Sequence, residues 1–492
     1  MGDDHLDLFL IFPNNRQHAY GDLGRDIAGV TPPVQLGLLA AYARRHGLTV
    51  DLLDADAAGL LPEQVAARVK AAAPALVVVG TDQVNSGDVT KMQAAGETVR
   101  AIHALATDIP VLLDGVVPSA YPGRILRSEE ADFVCCGESY EPATKLAAWL
   151  KAHGRNRRPA AGEIPGIWSR QGDEVTQGGR APMFADVEQL PDAAWDLMPP
   201  ARYRAHHWHC FDRLNARSPY AAIYTNHGCP YNCSYCSVNV VAGRPNLRLR
   251  TADRVLGELE TLVKLGVRNV RLLDNVFTIN AERVEEICDR ISAKGWDLNF
   301  WAYAHVSSIR GPDLLKKLKK AGVNWLAYGF ESANARVRGS VNKMTTEDAT
   351  DQVIGWTRDA DISIVGNFIF GLPEDDLASM QESFDMAKKF QFEWANFYCA
   401  MAYPGTRLYD ELVAKGVSMP TKWSAYGHYS RDSRPLSTKY VDWKEVVRFR
   451  DAAFKEYYES PAYQAMITKR FGPESAAYVR RILSQPLVRD FT

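Results

Sequence analysis

The chain has 492 residues, too many for one hydrophobic core, so two to four domains are expected. Its 46% hydrophobic and 24% charged content is that of a folded globular protein, not a disordered one. A net charge of −2, with Lys and Arg scattered, leaves no basic footprint for nucleic acid and no polybasic patch for a membrane. No apolar run reaches the ~20 residues of a spanning helix. The start, Met1 to Leu6, lacks the basic region of a signal peptide, and Leu6 breaks the myristoylation pattern. Eight cysteines form no disulfide framework, so a reducing cytoplasm is the expected compartment.

Residues 1–152 alternate between strand-like and helix-like runs. Strands are expected at 6–12, 49–53, 75–80, 111–114 and 133–136, with helices at 33–46, 61–72, 88–107 and 141–151. Such alternation implies a parallel doubly wound sheet whose ligand site lies at the carboxyl ends of its strands. No G-x-G-x-x-G follows the first strand and no P-loop occurs, which argues against a nucleotide. The strand-end loops are instead polar: Pro13-Asn14-Asn15, Asp54-Ala55-Asp56, Thr81-Asp82-Gln83-Val84-Asn85 and Gly115-Val116-Val117-Pro118. Thr31-Pro-Pro before a Leu-rich helix, the Gly115–Pro118 segment and the ending Cys136-Gly137-Glu138 resemble the cobalamin-binding Rossmann domain of one class of radical S-adenosylmethionine (SAM) enzymes. The resemblance implies cobalamin contacts from Asn14, Asn15, Asp54, Thr81, Gln83, Asn85, Gly115, Pro118, Gly137 and Glu138. Many cobalamin domains carry D-x-H-x-x-G with an axial histidine. Here His18-Ala-Tyr-Gly21 keeps the second half, while Arg16 replaces the acid that would fix the imidazole tautomer. His18 is a candidate ligand; a plain loop histidine is the other expectation.

Residues 153–215 are rich in Gly and Pro and are expected to form a linker, with a small hairpin near 164–176. His206, His207, His209 and Cys210 offer no full tetrahedral set and are expected to be solvated or interfacial, with a substrate or cofactor role as the other expectation because they precede the cysteine motif.

Alternation restarts in 216–415, with strands at 220–225, 269–273, 299–304, 325–330, 363–370 and 394–401, a partial (β/α)6 barrel. The loop after its first strand holds Cys229, Cys233 and Cys236 at C-x3-C-x2-C spacing. A zinc knuckle needs a fourth ligand near by; His227 is close, but there is no second C-x-x-C. A bacterial ferredoxin run has a different spacing. Three thiolates hold three irons of a 4Fe–4S cubane and leave the fourth iron open. The spacing resembles the signature of the radical SAM superfamily, in which the open iron chelates SAM and the cluster's electron cleaves it to a 5′-deoxyadenosyl radical. By that resemblance Tyr235, Asp274, Glu331, Ser332, Gly366, Gly371 and Glu374, all at or near strand ends, contact SAM. The spacing between Gly366 and Gly371 is one residue longer than in the family pattern.

Residues 416–492 are expected to be mainly helical and to cap the barrel or pack beside it, with Trp423, Tyr426, His428 and Tyr429 crowded into one segment. Cys399 and Tyr429 are candidate catalytic residues. The resemblance, which covers about residues 1–415, implies an α/β enzyme with three cofactors: the cluster, SAM and cobalamin. It implies methylation of an unactivated carbon, or of phosphorus, in a small molecule. One SAM supplies the methyl group through cobalamin, a second supplies the radical, and flavodoxin or ferredoxin is the electron donor. The competing expectations are a non-methylating rearrangement, cyclisation or oxidation, a non-catalytic cobalamin or iron–sulfur sensor, and a radical SAM enzyme that has dropped cobalamin.

Overall fold

The computed structural model describes residues 6–20, 29–81 and 88–491. Five short apolar segments form the parallel part of the first sheet: β1 (Leu8–Phe12), β2 (Val50–Asp54), β3 (Leu76–Gly80), β4 (Val111–Asp114) and β5 (Phe133–Cys135). They are continuous Val/Leu/Ile runs because helices cover both faces. Along β1, Leu8, Leu10 and Phe12 join one core, while Phe9 and Ile11 join the other. The spatial order is β2-β1-β3-β4-β5, so the topological switch point lies between β1 and β3.

Two further strands, β6 (Ile167–Gln171) and β7 (Glu174–Thr176), extend this sheet antiparallel from β5. They form the hairpin expected in the connector, and they carry the first sheet past residue 152. The rest of the connector is packed. Ala194 N–H donates to Gly37 O (3.0 Å), a Cβ on Gly37 would collide with Met198, and Trp195 Nε1 donates to buried Glu258 (3.1 Å). One apolar core therefore runs from the first sheet through Trp195 and Met198 into the barrel.

The second sheet is wholly parallel. Its strands are β8 (Tyr220–Ile223), β11 (Asn269–Leu272), β12 (Asn299–Ala304), β13 (Val323–Glu331), β14 (Ser363–Phe370) and β15 (Trp394–Cys399), in the order β15-β14-β13-β12-β11-β8. Connecting helices start at side-chain caps: Thr251, Asn280, Thr346 and Asp376 each accept from a backbone N–H in the first turn. An antiparallel hairpin, β9 (Asn226–Cys229) and β10 (Asn246–Leu249), follows β8 directly. The tail helix Trp443–Glu459 packs along edge strand β15. Tyr457, Tyr458 and Tyr463 donate to the backbone oxygens of Phe392, Ala395 and Glu393, covering an edge that would otherwise be open. At the amino end of the barrel, Phe471 stacks on Trp325 and Ser475 donates to Phe211 O.

Candidate functional site

The carboxyl ends of both sheets open onto one cavity of about 530 Å³, within the usual range for ligand sites. The first sheet contributes Asp114, Val116, Gly137, Glu138 and Tyr140; the barrel contributes the three motif cysteines, His305, Glu331 and Cys399; the tail contributes Gly427, His428 and Tyr429.

The cysteine loop is pinned at its centre, where Ser234 N–H donates to Val341 O (3.1 Å) and Ser234 O accepts from Leu408 N–H (2.9 Å). Cys229, Cys233 and Cys236 are partly exposed to the cavity. Burial raises each thiol pKa, that of Cys236 to about 12. Cys229 and Cys236 are raised further by their neighbouring motif thiols, and Lys343 pulls all three down. Among the described residues, no three His, Cys, Asp or Glu side chains converge as a single metal ion requires. The donor chemistry, three thiolates on one tight loop partly exposed to the cavity, is that of a cubane, which gives each thiolate its own iron.

Glu331 faces this loop from the end of β13. It pairs with Lys343 (3.3 Å), and both are more than nine-tenths buried. Its backbone is left-handed (φ +63°), a strained state for a residue with a side chain. A Cβ on Gly329 would meet the Glu331 carboxylate and displace it from its present position. Tyr235 lines the same wall, and burial and then Glu331 push its phenol pKa well up.

Several predicted SAM contacts stand elsewhere. Asp274 is fully buried, and its carboxylate accepts from the backbone N–H and side chain of both Thr225 and Asn226, so it is not open to a SAM amino group. The Ser332 hydroxyl is buried against Ser383 and accepts from Asn334 N–H. Gly366 faces Phe368 and Phe392, not the cavity. Gly371 turns the chain (φ +81°) against Val446, with its N–H on Asp375. Glu374 pairs with Arg336 and Lys439, away from the cavity lining.

The first domain shows the same division. Gly137 and Glu138 line the cavity, and Gly115 lies between the lining residues Asp114 and Val116. Glu138 accepts from Arg248 through both carboxylate oxygens (2.6 and 2.8 Å) and from Phe184 N–H, which ties it to β10. Asn14 donates to Leu60 O, Asn15 to Thr90 Oγ1 and Thr81 to Asp114 O, so all three hold the loops together. Asp54 caps the short helix Ala55–Ala58 by accepting from Ala57 N–H (2.8 Å). Pro118 is buried inside the helix Val116–Ala120. His18 is not among the residues lining the cavity, and its Nε2 is paired with Glu97 (3.0 Å). Gln83 and Asn85 lie outside the described residues.

Cys399 is 3% exposed at the end of β15, and burial raises its thiol pKa against the pull of Arg450. Tyr429 stacks on Tyr20 with ring centroids 5.8 Å apart. Two buried guanidiniums fix the Tyr429 loop: Arg450 and Arg489 both donate to His428 O and both pair with Asp451. Of the histidines expected to be solvated or interfacial, His209 is fully buried on Asn299 O, His207 stacks on Tyr478, and His206 lines the cavity. Cys210 donates to Asn269 Oδ1.

Lys343, His305, His227 and Arg248 also line the cavity and were not among the predicted site residues. His305 follows the end of a predicted strand and was open to that signal, whereas Arg248 lies on β10, which was not a predicted element. Lys343 sits in a loop after a short helix, where no spacing marks it.

Comparison with known proteins places a Radical SAM superfamily domain at residues 223–387 and a B12 binding domain at residues 21–147. An uncharacterized methyltransferase of Pyrococcus horikoshii is 25% identical over 81% of this chain and 83% of its own length. The anaerobic magnesium-protoporphyrin IX monomethyl ester cyclase of Cereibacter sphaeroides is 27% identical over 80% of this chain and 62% of its own. The radical SAM methyltransferase TsrM of Kitasatospora setae, solved with cobalamin and a 4Fe–4S cluster, superposes over 97% of this chain and 98% of its own with a TM-score of 0.72 at 16% identity.

Proposed function

From the premise that the chain belongs to the B12-binding class of the radical SAM superfamily, we propose that it methylates an unactivated carbon, or phosphorus, of a small molecule. The observation that carries this reading is the shared cavity: the cysteine loop and the Gly137-Glu138 turn of the B12-binding domain line the same space. When bound, the cluster and SAM supply a 5′-deoxyadenosyl radical and cobalamin supplies a methyl carrier.

The protein's share is to hold and shield them. Cys229, Cys233 and Cys236 ligate the cluster. Glu331, kept in place by Lys343, accepts from polar groups of SAM, and Tyr235 closes the same wall. Tyr303, Trp301 and Tyr398 line the barrel side and exclude water from a reactive carbon radical. Cys399 and Tyr429 stand on the tail side of the cavity as candidates for contact with substrate. A flavodoxin or ferredoxin of the cytoplasm is the proposed reductant.

A second reading has its own support in the cyclase relative: radical chemistry without methyl transfer. Anaerobically reconstituted enzyme, given substrate, reductant and SAM, separates the two. Methylation yields S-adenosylhomocysteine and 5′-deoxyadenosine together. 5′-Deoxyadenosine alone ends the methylation reading and leaves the cyclase-like one, and uncleaved SAM points to a sensor.

A further inference from the structure

His227 is 5% exposed, lines the cavity, and has no hydrogen-bond partner at either ring nitrogen among the described residues. Neither ring nitrogen is sealed inside the protein, so both are open to the cavity, where a ligand can reach them. The ring's orientation is set by stacking on Tyr224, with centroids 4.7 Å apart and planes 19° apart.

The direction it faces follows from the hairpin. In the β9–β10 ladder His227 lies directly opposite Arg248, so the two side chains share a face. Arg248 reaches across to both carboxylate oxygens of Glu138 in the B12-binding domain. His227 therefore looks at that domain. On the facing wall, Gln35 accepts from the Tyr140 hydroxyl through Oε1, and its amide nitrogen bonds no described residue. A neutral imidazole offers one N–H and one lone pair, and a glutamine amide adds two N–H groups. That set matches a primary carboxamide, which has one carbonyl and one NH2. Cobalamin carries such carboxamides around the rim of its corrin ring.

We infer that His227, from the barrel side, and Gln35, from the opposite wall, bind a peripheral carboxamide of cobalamin, an inference that rests on the B12-dependent reading above. The hairpin that begins the cluster loop would then also grip the second cofactor and fix one against the other.

The test is absorbance titration of the full-length, anaerobically reconstituted protein with hydroxocobalamin, with iron measured in the same samples. His227→Phe keeps the stacking shape and removes both polar atoms; it weakens cobalamin binding about tenfold and leaves iron content unchanged. His227→Gln restores most of the affinity, and Gln35→Leu gives a loss like that of His227→Phe. Unaltered cobalamin affinity in His227→Phe, or iron lost in step with cobalamin, overturns the inference. A wild-type protein that binds no cobalamin overturns the reading beneath it instead.

Discussion

The Asp274 carboxylate receives hydrogen bonds from the backbone and side chains of Thr225 and Asn226, the two residues that join β8 to the cluster hairpin. Its burial raises its pKa, and those bonds pull it back. Asp274→Ala strips a partner from each donor and costs about 3 kcal/mol. Iron content falls with stability, because the hairpin base is freed. If Asp274 served SAM instead, iron would stay and only the SAM dissociation constant would rise. Asp54 gives a pH test. Burial, with Asp56 adding to it, pushes its pKa up to about 7 from the ordinary 3.8. For an acid raised on folding, the stability it contributes is full below pH 4 and is lost as pH rises to 7, by on the order of 4 kcal/mol. Asp54→Asn keeps an acceptor for Ala57 N–H and removes the titration. Its Tm relative to wild type is higher at pH 8 than at pH 5 by a few degrees; an equal difference at both pH values contradicts the account. Sequence marked both acids as strand-end residues but not which way they face, because a one-residue change of phase at a strand end turns a side chain from cavity to core. The same holds for Ser332, whose hydroxyl is turned onto Ser383.

The β9–β10 hairpin is the element that ties the cysteine loop to the B12-binding domain. Arg248 and Glu138 have side chains 9% and 13% exposed, so removing one leaves the other as a buried charge. Arg248→Leu costs about 3 kcal/mol, and Glu138→Gln with Arg248→Leu recovers part of that loss. Denaturant unfolding of the two single variants and the double variant checks this; additive losses would show that the pair is not coupled. The hairpin itself was not among the predicted elements. Asn246–Leu249 alternates polar and apolar residues, Asn-Leu-Arg-Leu, but only over four residues, the shortest run that reads as a strand, and all four are half-buried. The barrel strands were legible, each within about two residues, because both faces are covered and apolar runs alternate with amphipathic helices. Glu138 was expected at cobalamin; its cavity position was readable, but its partner Arg248, 110 residues away, was not.

At the scale of the whole molecule, the two α/β halves and their order followed from alternation and from the three-cysteine spacing. Their mutual placement did not. It rests on the packed connector, where Trp195, Met198 and Tyr203 continue one core into the other, in a segment whose Gly and Pro content reads as linker. The cysteine loop and the first-sheet residues Asp114, Val116 and Gly137 line one cavity; Asp54 is not among its lining residues, and Gln83 lies outside the described residues. The central claim is that one cavity serves both the cluster and cobalamin. Electron paramagnetic resonance of frozen protein that holds a reduced cluster and Co(II) cobalamin together tests it most directly. Two paramagnets facing one cavity broaden or split each other's signals, and the effect disappears in a Cys229→Ala, Cys233→Ala, Cys236→Ala triple variant that keeps cobalamin. Two full-strength signals, each unchanged by the presence of the other, would contradict the account.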